Sequence, residues 1–296
     1  MTAVSWTRMR TFLAVVDHGS VRGAAGQLRV TEPAVSAAVT YVEKQLGTEL
    51  FSKQGRGIRL TDSGAVYAAY CRRILGLMAE SQAAVLKAER GRLRLGAVAS
   101  ASEYVLPRLL ASFRRRYPDI DLSLSVLPRD DLFTQLGHHE TDLVLAGRPS
   151  RGSGLVTRAL RPNSLVVVGA AGRFAAPLSE TWLLRGPGSG TRDATIALLN
   201  SLDASPPTLT LGTHGAVVAA AREGLGVTLV HADAIDQDLD SGRLEVLPVA
   251  QSPLDRPWHI ATTQTPTPTT QLFIRHITDA EQVGDAAFRP DNRPAG

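Results

Sequence analysis

"VTEPAVSAAVTYVEKQLG", residues 30–47, is the stretch on which the reading of this chain turns. Val35, Val39, Val42 and Leu46 recur at the spacing of one buried stripe along a helix. Thr31 predicts an N-cap, and Gly47 predicts the end. Pro33 fits a first turn, because its missing N–H would be unpaired there anyway. That first turn is polar: Thr31, Glu32, Pro33 and Ser36. A polar tip on an amphipathic helix implies that the tip meets something other than its own protein.

Upstream, Met9, Phe12, Leu13 and Val16 predict a first amphipathic helix closed by Gly19. Val21, Ala24, Ala25 and Leu28 predict a second, shorter one capped by Ser20. Leu28-Arg29-Val30 turns the chain into the helix quoted above. Two helices joined by a tight turn form a helix-turn-helix, whose second helix lies in the major groove of double-stranded DNA with its N-terminal residues at base edges. The helix dipole at that tip also favours a phosphate. Arg29, Thr31, Glu32, Pro33, Ser36 and Thr40 are the contacts this predicts.

Downstream, "LFSKQGRGIRLTDSG" (50–64) places Phe51 and Ile58 inward from two short strands. Lys53, Arg56 and Arg59 surround a turn bracketed by Gly55 and Gly57. This reads as a wing whose cations sit against the phosphate backbone. Taken alone, the same turn also reads as an ordinary hairpin with solvated charges. From Asp62 to about Arg90 a single helix is expected, spanning roughly 43 Å. Val66, Tyr70, Ile74, Leu77, Ala84 and Ala88 fall close to a heptad stripe through Ser81. Such a stripe needs a partner, most simply the same helix of a second copy, with packing on its own body as the alternative.

The 296 residues predict two or three domains, and 44% hydrophobic content suffices for real cores. No apolar run is long enough for a membrane span, and no apolar segment follows Arg8 and Arg10, so no signal peptide is expected. Cys71 is the sole cysteine, which excludes an internal disulfide and fits the cytoplasm. Residues 1–90 hold 12 Lys and Arg against 7 Asp and Glu, whereas the remainder holds 20 against 21. A basic module joined to a near-neutral one implies a polyanion partner first and a different partner second.

Beyond residue 90, "GRLRLGAVAS" (91–100) reads as a strand and 102–117 as a helix. "DLSLSV", a helix near 129–138 and "DLVLA" follow. "SLVVVGA" (164–170) starts a second unit that continues through "WLLR", the helix after "GSGT", "HGAVVAAAREGLGVTLV" and "RPWHIATT". A last helix is expected over 269–284, and "AAFRPDNRPAG" reads as a loose tail. Strands alternating with helices predict an α/β fold with a largely parallel sheet.

The segment from Phe12 to Gly64 resembles the winged helix-turn-helix of LysR-type transcriptional regulators and the start of their linker helix. The resemblance rests on A-A-x-x-L in helix two, P-A-V-S in helix three, L-G-x-x-L-F and L-T-x-x-G, and it extends more weakly over nearly the whole chain. It implies a DNA-binding domain at 1–61, a linker and dimerisation helix at 62–90, and an effector domain at 91–296. The implied fold is an N-terminal all-α winged helix-turn-helix, then an α/β periplasmic-binding-protein-like (type II) domain of two subdomains. The implied lobes are 91–162 with 264–288, and 163–263, leaving 289–296 as a tail. The chain departs from the family at Glu32 (often Gln), at Ala37 and Ala38 (usually long and polar) and at Lys53 (usually Arg). Glutamate accepts from cytosine N4 but cannot donate to adenine, so base preference shifts. Lysine keeps the charge of arginine but loses the bidentate fork. Gly23 and Gly26 each weaken helix two by about 1 kcal/mol relative to Ala.

Ligands of such two-lobed folds lie in the cleft, where strand ends and helix N-termini converge. Ser100 and Ser102 follow the first strand and open a helix; they suit an anion, or simply an N-cap. "RGPGSGTRD" (185–193) resembles the family's cleft segment in the second lobe and offers Ser189, Thr191 and Arg192, with a capped turn as the plainer reading. Arg148 follows "DLVLA", and Thr213 and His214 open another helix. Together they imply a small anionic effector. The expected protein is a regulator, dimeric or tetrameric, with promoter DNA, effector and RNA polymerase as partners. Two other classes compete. "GPGSGTR" after a strand also suits a nucleotide- or phosphate-using enzyme, but it lacks G-K-[ST] and the full G-x-G-x-x-G. The two lobes alone suit a solute-binding receptor, against which the basic N-terminal module argues. No Cys/His metal cluster or G-x-S-x-G elbow is present in the sequence, so no cofactor, metal or catalytic residue is expected.

Overall fold

The computed structural model describes residues 4–54, 57–85 and 88–291. The chain divides into two compact units, residues 1–85 with 137–140, and residues 86–136 with 141–296.

The first unit contains α1 (Trp6–His18), α2 (Val21–Leu28), α3 (Glu32–Leu46), β1 (Phe51–Gln54), β2 (Gly57–Leu60) and α4 (Asp62–Ala84). Ser20 Oγ accepts from Gly23 N at 3.1 Å, and Thr61 Oγ1 from Gly64 N at 2.9 Å, so both predicted starts are capped by side chains. Thr31 occupies the N-cap position of α3 but makes no capping bond with its side chain. The apolar stripes meet in two clusters. One joins Phe12, Leu13, Val42, Leu50, Ala68 and Cys71. The other joins Ala14, Val15, Ala24, Ala25, Val35 and Val39. Glu43 ties the end of α3 to the strand that follows, its Oε1 accepting from Leu50 N at 2.8 Å and Phe51 N at 3.3 Å. The glycine of L-T-x-x-G has a steric reason. A Cβ on Gly64 would lie 2.2 Å from the Leu50 carbonyl oxygen, so the first turn of α4 docks there only without a side chain.

The linker helix is shorter than the sequence predicts. Helix α4 stops at Ala84, and Ala88–Arg90 forms a 3₁₀ turn, with Leu86 and Lys87 outside the described residues. Thr269 Oγ1 donates to the Ala88 carbonyl at 3.0 Å, and a Cβ on Gly91 would meet that hydroxyl at 2.1 Å. The chain is thus redirected by a residue 181 positions away, which helical periodicity does not register.

The second unit has two lobes. The first holds β3 (Arg92–Ala97), α5 (Ala99–Tyr104), α6 (Leu106–Arg116), β4 (Asp121–Val126), α7 (Arg129–Gly137), β5 (Leu143–Ala146) and β6 (Val156–Arg161). The second holds β7 (Ser164–Ala170), β8 (Trp182–Leu184), α8 (Gly190–Ser201), β9 (Thr208–Thr210), α9 (His214–Arg222), β10 (Thr228–His231), α10 (Asp236–Asp240), β11 (Leu244–Val246) and β12 (Leu254–Asp255). The chain then returns through β13 (Trp258–Thr262), α11 (Pro268–Thr278), α12 (Ala280–Val283) and β14 (Arg289–Pro290).

The first sheet runs β14-β6-β13-β5-β3-β4. Strand β3 is parallel to β4 and β5, but β13 is antiparallel to both β5 and β6. The sheet is therefore mixed rather than largely parallel, because β13 enters from the other lobe instead of through a crossover helix. The return crossing lies between Asp255 and Trp258, earlier than the expected division after 263. Every residue of β13 is buried, as a central strand covered on both faces requires. In the second lobe β7 carries β10, β11 and β12, all antiparallel to it, while β8 and β9 pair in parallel.

The helix expected over 102–117 is two helices broken at Val105. Pro107 has no N–H to give a carbonyl four residues back, and it sits in the first turn of α6, where none is needed. The last predicted helix also splits, at Asp279, whose Oδ1 accepts from Glu281 N at 2.9 Å. The predicted loose tail is partly core. Phe288 is buried, and β14 pairs with β6. No helix among the described residues is long and apolar enough to cross a membrane.

Candidate nucleic-acid interface and ligand cleft

Helix α3 buries Val35, Val39 and Val42 against α1 and α2, which turns its other face outward. Thr31, Glu32, Pro33, Ser36 and Thr40 are all exposed on it. Arg29, just ahead, is exposed with φ 55°, the left-handed turn conformation. The uncapped Thr31 hydroxyl remains available to an outside group. On the wing, Lys53 and Arg59 are exposed, and Arg56 lies outside the described residues. The register pairs Lys53 with Ile58 and Ser52 with Arg59. Since cross-strand partners share a face and neighbours alternate, Lys53 and Arg59 project from opposite faces of the hairpin. The sequence reading grouped them; the structure does not. It adds Arg8, whose guanidinium lies 3.6 Å from the centroid of the Tyr41 ring. That pair depends on α1 packing across α3, which no local spacing announces.

Helix α4 turns Ala68 and Cys71 into the core and leaves Val66, Tyr70, Ile74 and Leu77 at 61%, 57%, 40% and 49% exposure. The predicted stripe is therefore uncovered by its own unit over the length of the helix that is present.

In the second unit a cleft of about 930 Å³ opens where β3, β5 and β8 end and the crossings pass. Ser100, Arg129 and Arg148 line it from the first lobe. Arg185, Ser189 and Thr191 line it from the second. His231, Arg256 and Trp258 line it near the crossings. Arg129 braces the opposite loop, its Nη2 donating to the Arg148 carbonyl at 2.6 Å. Arg148 is exposed, and among the described residues no side chain pairs with its guanidinium. Ser189 stands at the N-cap position of α8, its Oγ buried without a hydrogen-bond partner.

The lining excludes four of the residues singled out from sequence. Ser102 Oγ donates to the Ala99 carbonyl at 2.8 Å. Arg192 Nη1 donates to the Arg185 carbonyl at 2.9 Å and to Thr210 Oγ1 at 3.1 Å, so it braces the loop from outside. Thr213 caps α9 through Ala216 N. His214 is 1% exposed and sets its ring edge-on to Tyr104, with centroids 5.2 Å apart. Burial, then the charge of Arg185, push its pKa down to about 4. Sequence reading missed Arg129, Arg185, His231 and Arg256. For Arg185 the signal was available, since it immediately follows a strand inside a segment already marked.

The comparisons with known proteins follow this division. The pattern of a bacterial regulatory helix-turn-helix protein of the lysR family matches residues 6–65, and that of the LysR substrate binding domain matches 87–282. The RuBisCO operon transcriptional regulator of Allochromatium vinosum is 35% identical over 270 residues, covering 87% of this chain and 89% of its own. Full-length OxyR from Pseudomonas aeruginosa shares the fold with a TM-score of 0.68 at 21% identity, covering 97% of this chain and 95% of that one. The CcmR regulatory domain of Synechocystis in complex with 2-PG gives a TM-score of 0.56 at 27% identity, over 62% of this chain and 94% of that one. Such relatives are transcriptional regulators, not enzymes.

Proposed function

We propose, for a chain that belongs to the LysR family of DNA-binding transcriptional regulators, that the tip of α3 reads promoter bases and that a small anion in the cleft modulates the outcome. In this reading residues 1–61 bind DNA, 62–90 link two copies and 91–296 receive the effector. The observation that carries it is the outward face of α3, where Thr31, Glu32, Ser36 and Thr40 are exposed, in the same unit as a helix with an uncovered apolar stripe. A stripe of Val66, Tyr70, Ile74 and Leu77 on two copies suits a dimer, which presents two recognition helices to one face of DNA. For the effector the support is charge. Among the described residues four arginines line the cleft, against Asp193 and Asp255. A neighbour's regulatory domain was solved in complex with 2-PG, and the cleft is the cavity this chain's second unit offers a small ligand. The effector must bind one conformation of the lobes better than another, or nothing shifts.

The test is binding of the full chain to the intergenic DNA beside its own gene across a salt series, repeated with a panel of small anions. A specific footprint with steep salt dependence, altered by one anion, is expected. Equal affinity for unrelated DNA, or insensitivity to every anion, would remove the corresponding half of the reading. The likeness to a RuBisCO operon regulator makes that class of promoter the second one to try.

A further inference from the structure

Over its first two turns α3 has two unlike flanks. At 3.6 residues per turn, Glu32 and Ser36 fall on one side, and Ala34, Ala37 and Ala38 on the other, with Tyr41 next in line. Ala34 and Ala37 are exposed, and Ala38 is half-buried. A helix seated in the major groove has a sugar–phosphate strand along each side of it. Ser36 offers a hydroxyl on the first side, but the alanine methyl groups have nothing to donate to a phosphate on the second.

Helix α1 packs against α3 and brings a donor to that second side. The Arg8 guanidinium carbon lies 3.6 Å from the centroid of the Tyr41 ring, so the cation rests on the ring face. Both residues are half-buried. Among the described residues no group accepts a hydrogen bond from Arg8, and no carboxylate pairs with it. The two acids of α3 are placed elsewhere. Glu43 Oε1 accepts from Leu50 N at 2.8 Å and Phe51 N at 3.3 Å, and Glu32 lies on the opposite flank. Lys44, the next turn after Tyr41, is exposed and adds a second cation there. Stacking occupies only the face of a guanidinium. Its N–H groups leave edgewise in the plane, so one arginine can rest on a ring and still fork onto a phosphate. The ring also fixes the side chain before DNA arrives, which lowers the ordering cost of the contact. Arg10 leaves the opposite side of α1 and lies 5.3 Å from the ring of Trp6, on its own helix.

We propose that Arg8, held on the face of Tyr41, contacts a backbone phosphate on the alanine flank of α3. Helix α1 thereby supplies a contact that the first two turns of α3 lack. The inference rests on the reading of α3 as the helix that enters the groove. Arg8 then adds affinity without sequence preference, while base reading stays with the tip of α3. Tyr41 is a positioning residue, acting on DNA only through Arg8.

The experiment measures the Kd of the full chain across a salt series for two duplexes, the intergenic DNA beside its own gene and an unrelated sequence of equal length. Arg8→Ala is expected to weaken binding to both by the same factor, roughly tenfold at about 0.15 M salt, and to reduce the salt slope by about 1. Arg8→Lys is expected to keep the slope but bind more weakly than the parent, since the charge stays and the fork is lost. Arg10→Ala removes the same charge from the other side of α1 and is expected to keep the parental slope. Tyr41→Leu is expected to weaken binding about threefold in the parent and not at all in Arg8→Ala, the non-additivity of a residue that acts through another. Should Arg8→Ala lower the thermal midpoint, Arg8→Gln takes its place as the neutral variant. A neutral variant with the parental slope, an equal loss of slope in Arg10→Ala, additive losses for Arg8 and Tyr41, or a changed ratio of the two affinities overturns the inference and leaves α3 as the groove helix. A parent that binds neither duplex, or binds both without salt dependence, overturns that reading as well.

Discussion

The surface proposed to read DNA and the proposed effector cleft are built on opposite plans. The first draws its exposed residues from Arg29 to Thr40 and from the adjoining hairpin, neighbours in sequence turned outward by one buried stripe. The second collects its lining from separate segments between Val98 and His259, with Arg148 and Arg185 on different lobes. Where function sits on one helix, periodicity locates it. Where it sits between lobes, a single turn of chain decides which of two nearby arginines faces in. Arg185 and Arg192 illustrate this, seven residues apart, one lining the cleft and the other bonded to the first one's carbonyl.

That contrast can be broken at several points. The largest effect is expected from the α4 stripe. Ile74→Glu with Leu77→Glu should yield monomers by sedimentation and weaken operator binding by about a hundredfold or more, since the two half-sites then bind independently. A double variant that stays dimeric would place the self-association elsewhere. Next comes pH, acting on the second unit. His214 and His231 are neutral when folded, at about 4 and about 3, but ordinary when unfolded, near 6.5. Below pH 6.5 the unfolded chain binds more protons, so stability falls as pH drops and is flat above that value. The slope approaches about 1.4 kcal/mol per pH unit for each ring. His276, also lowered by burial, adds in the same direction, and His138 does so in the first unit. Urea melts of the ligand-free protein at pH 7.5 and 5.0 that coincide would show the rings to be solvated.

Gly64→Ala comes third. It forces a carbon to within 2.2 Å of a backbone oxygen and should destabilise the first unit by about 1–3 kcal/mol, seen as a lowered thermal midpoint. Glu32→Ala should leave stability unchanged but cost about 1–3 kcal/mol of discrimination at one base pair in a selection from random DNA. Unaltered selection would take base reading away from the tip of α3. The smallest effect is on the wing. Lys53→Ala should reduce the salt slope of binding by about 1, with less change for Arg59→Ala on the other face of the hairpin. Equal changes would mean that DNA reaches both faces.

Much of the fold was legible. The stripes of α1 and α2, most of that of α3, the cap at Ser20 and the strand–helix alternation followed from spacing, because each is a local demand for a buried face or a satisfied N–H; Leu46, expected on the inner face of α3, is exposed, and Thr31, expected as its cap, makes no capping bond. The boundaries that failed had distant causes. Thr269 bends the chain at Ala88, and β13 joins the first sheet only because the return crossing falls before Trp258. For the cleft, sequence pointed to the right loops but not to the side chains that line it.

Taken by itself, then, the sequence determined the helix-turn-helix, the polar face of α3 and the apolar stripe of α4, since a 3.6-residue period assigns every side chain on a helix to a face. The tertiary structure decided where the linker helix stops, which arginines enter the cleft and which histidines are buried. Those outcomes depend on contacts between residues scores of positions apart, and no local period encodes them.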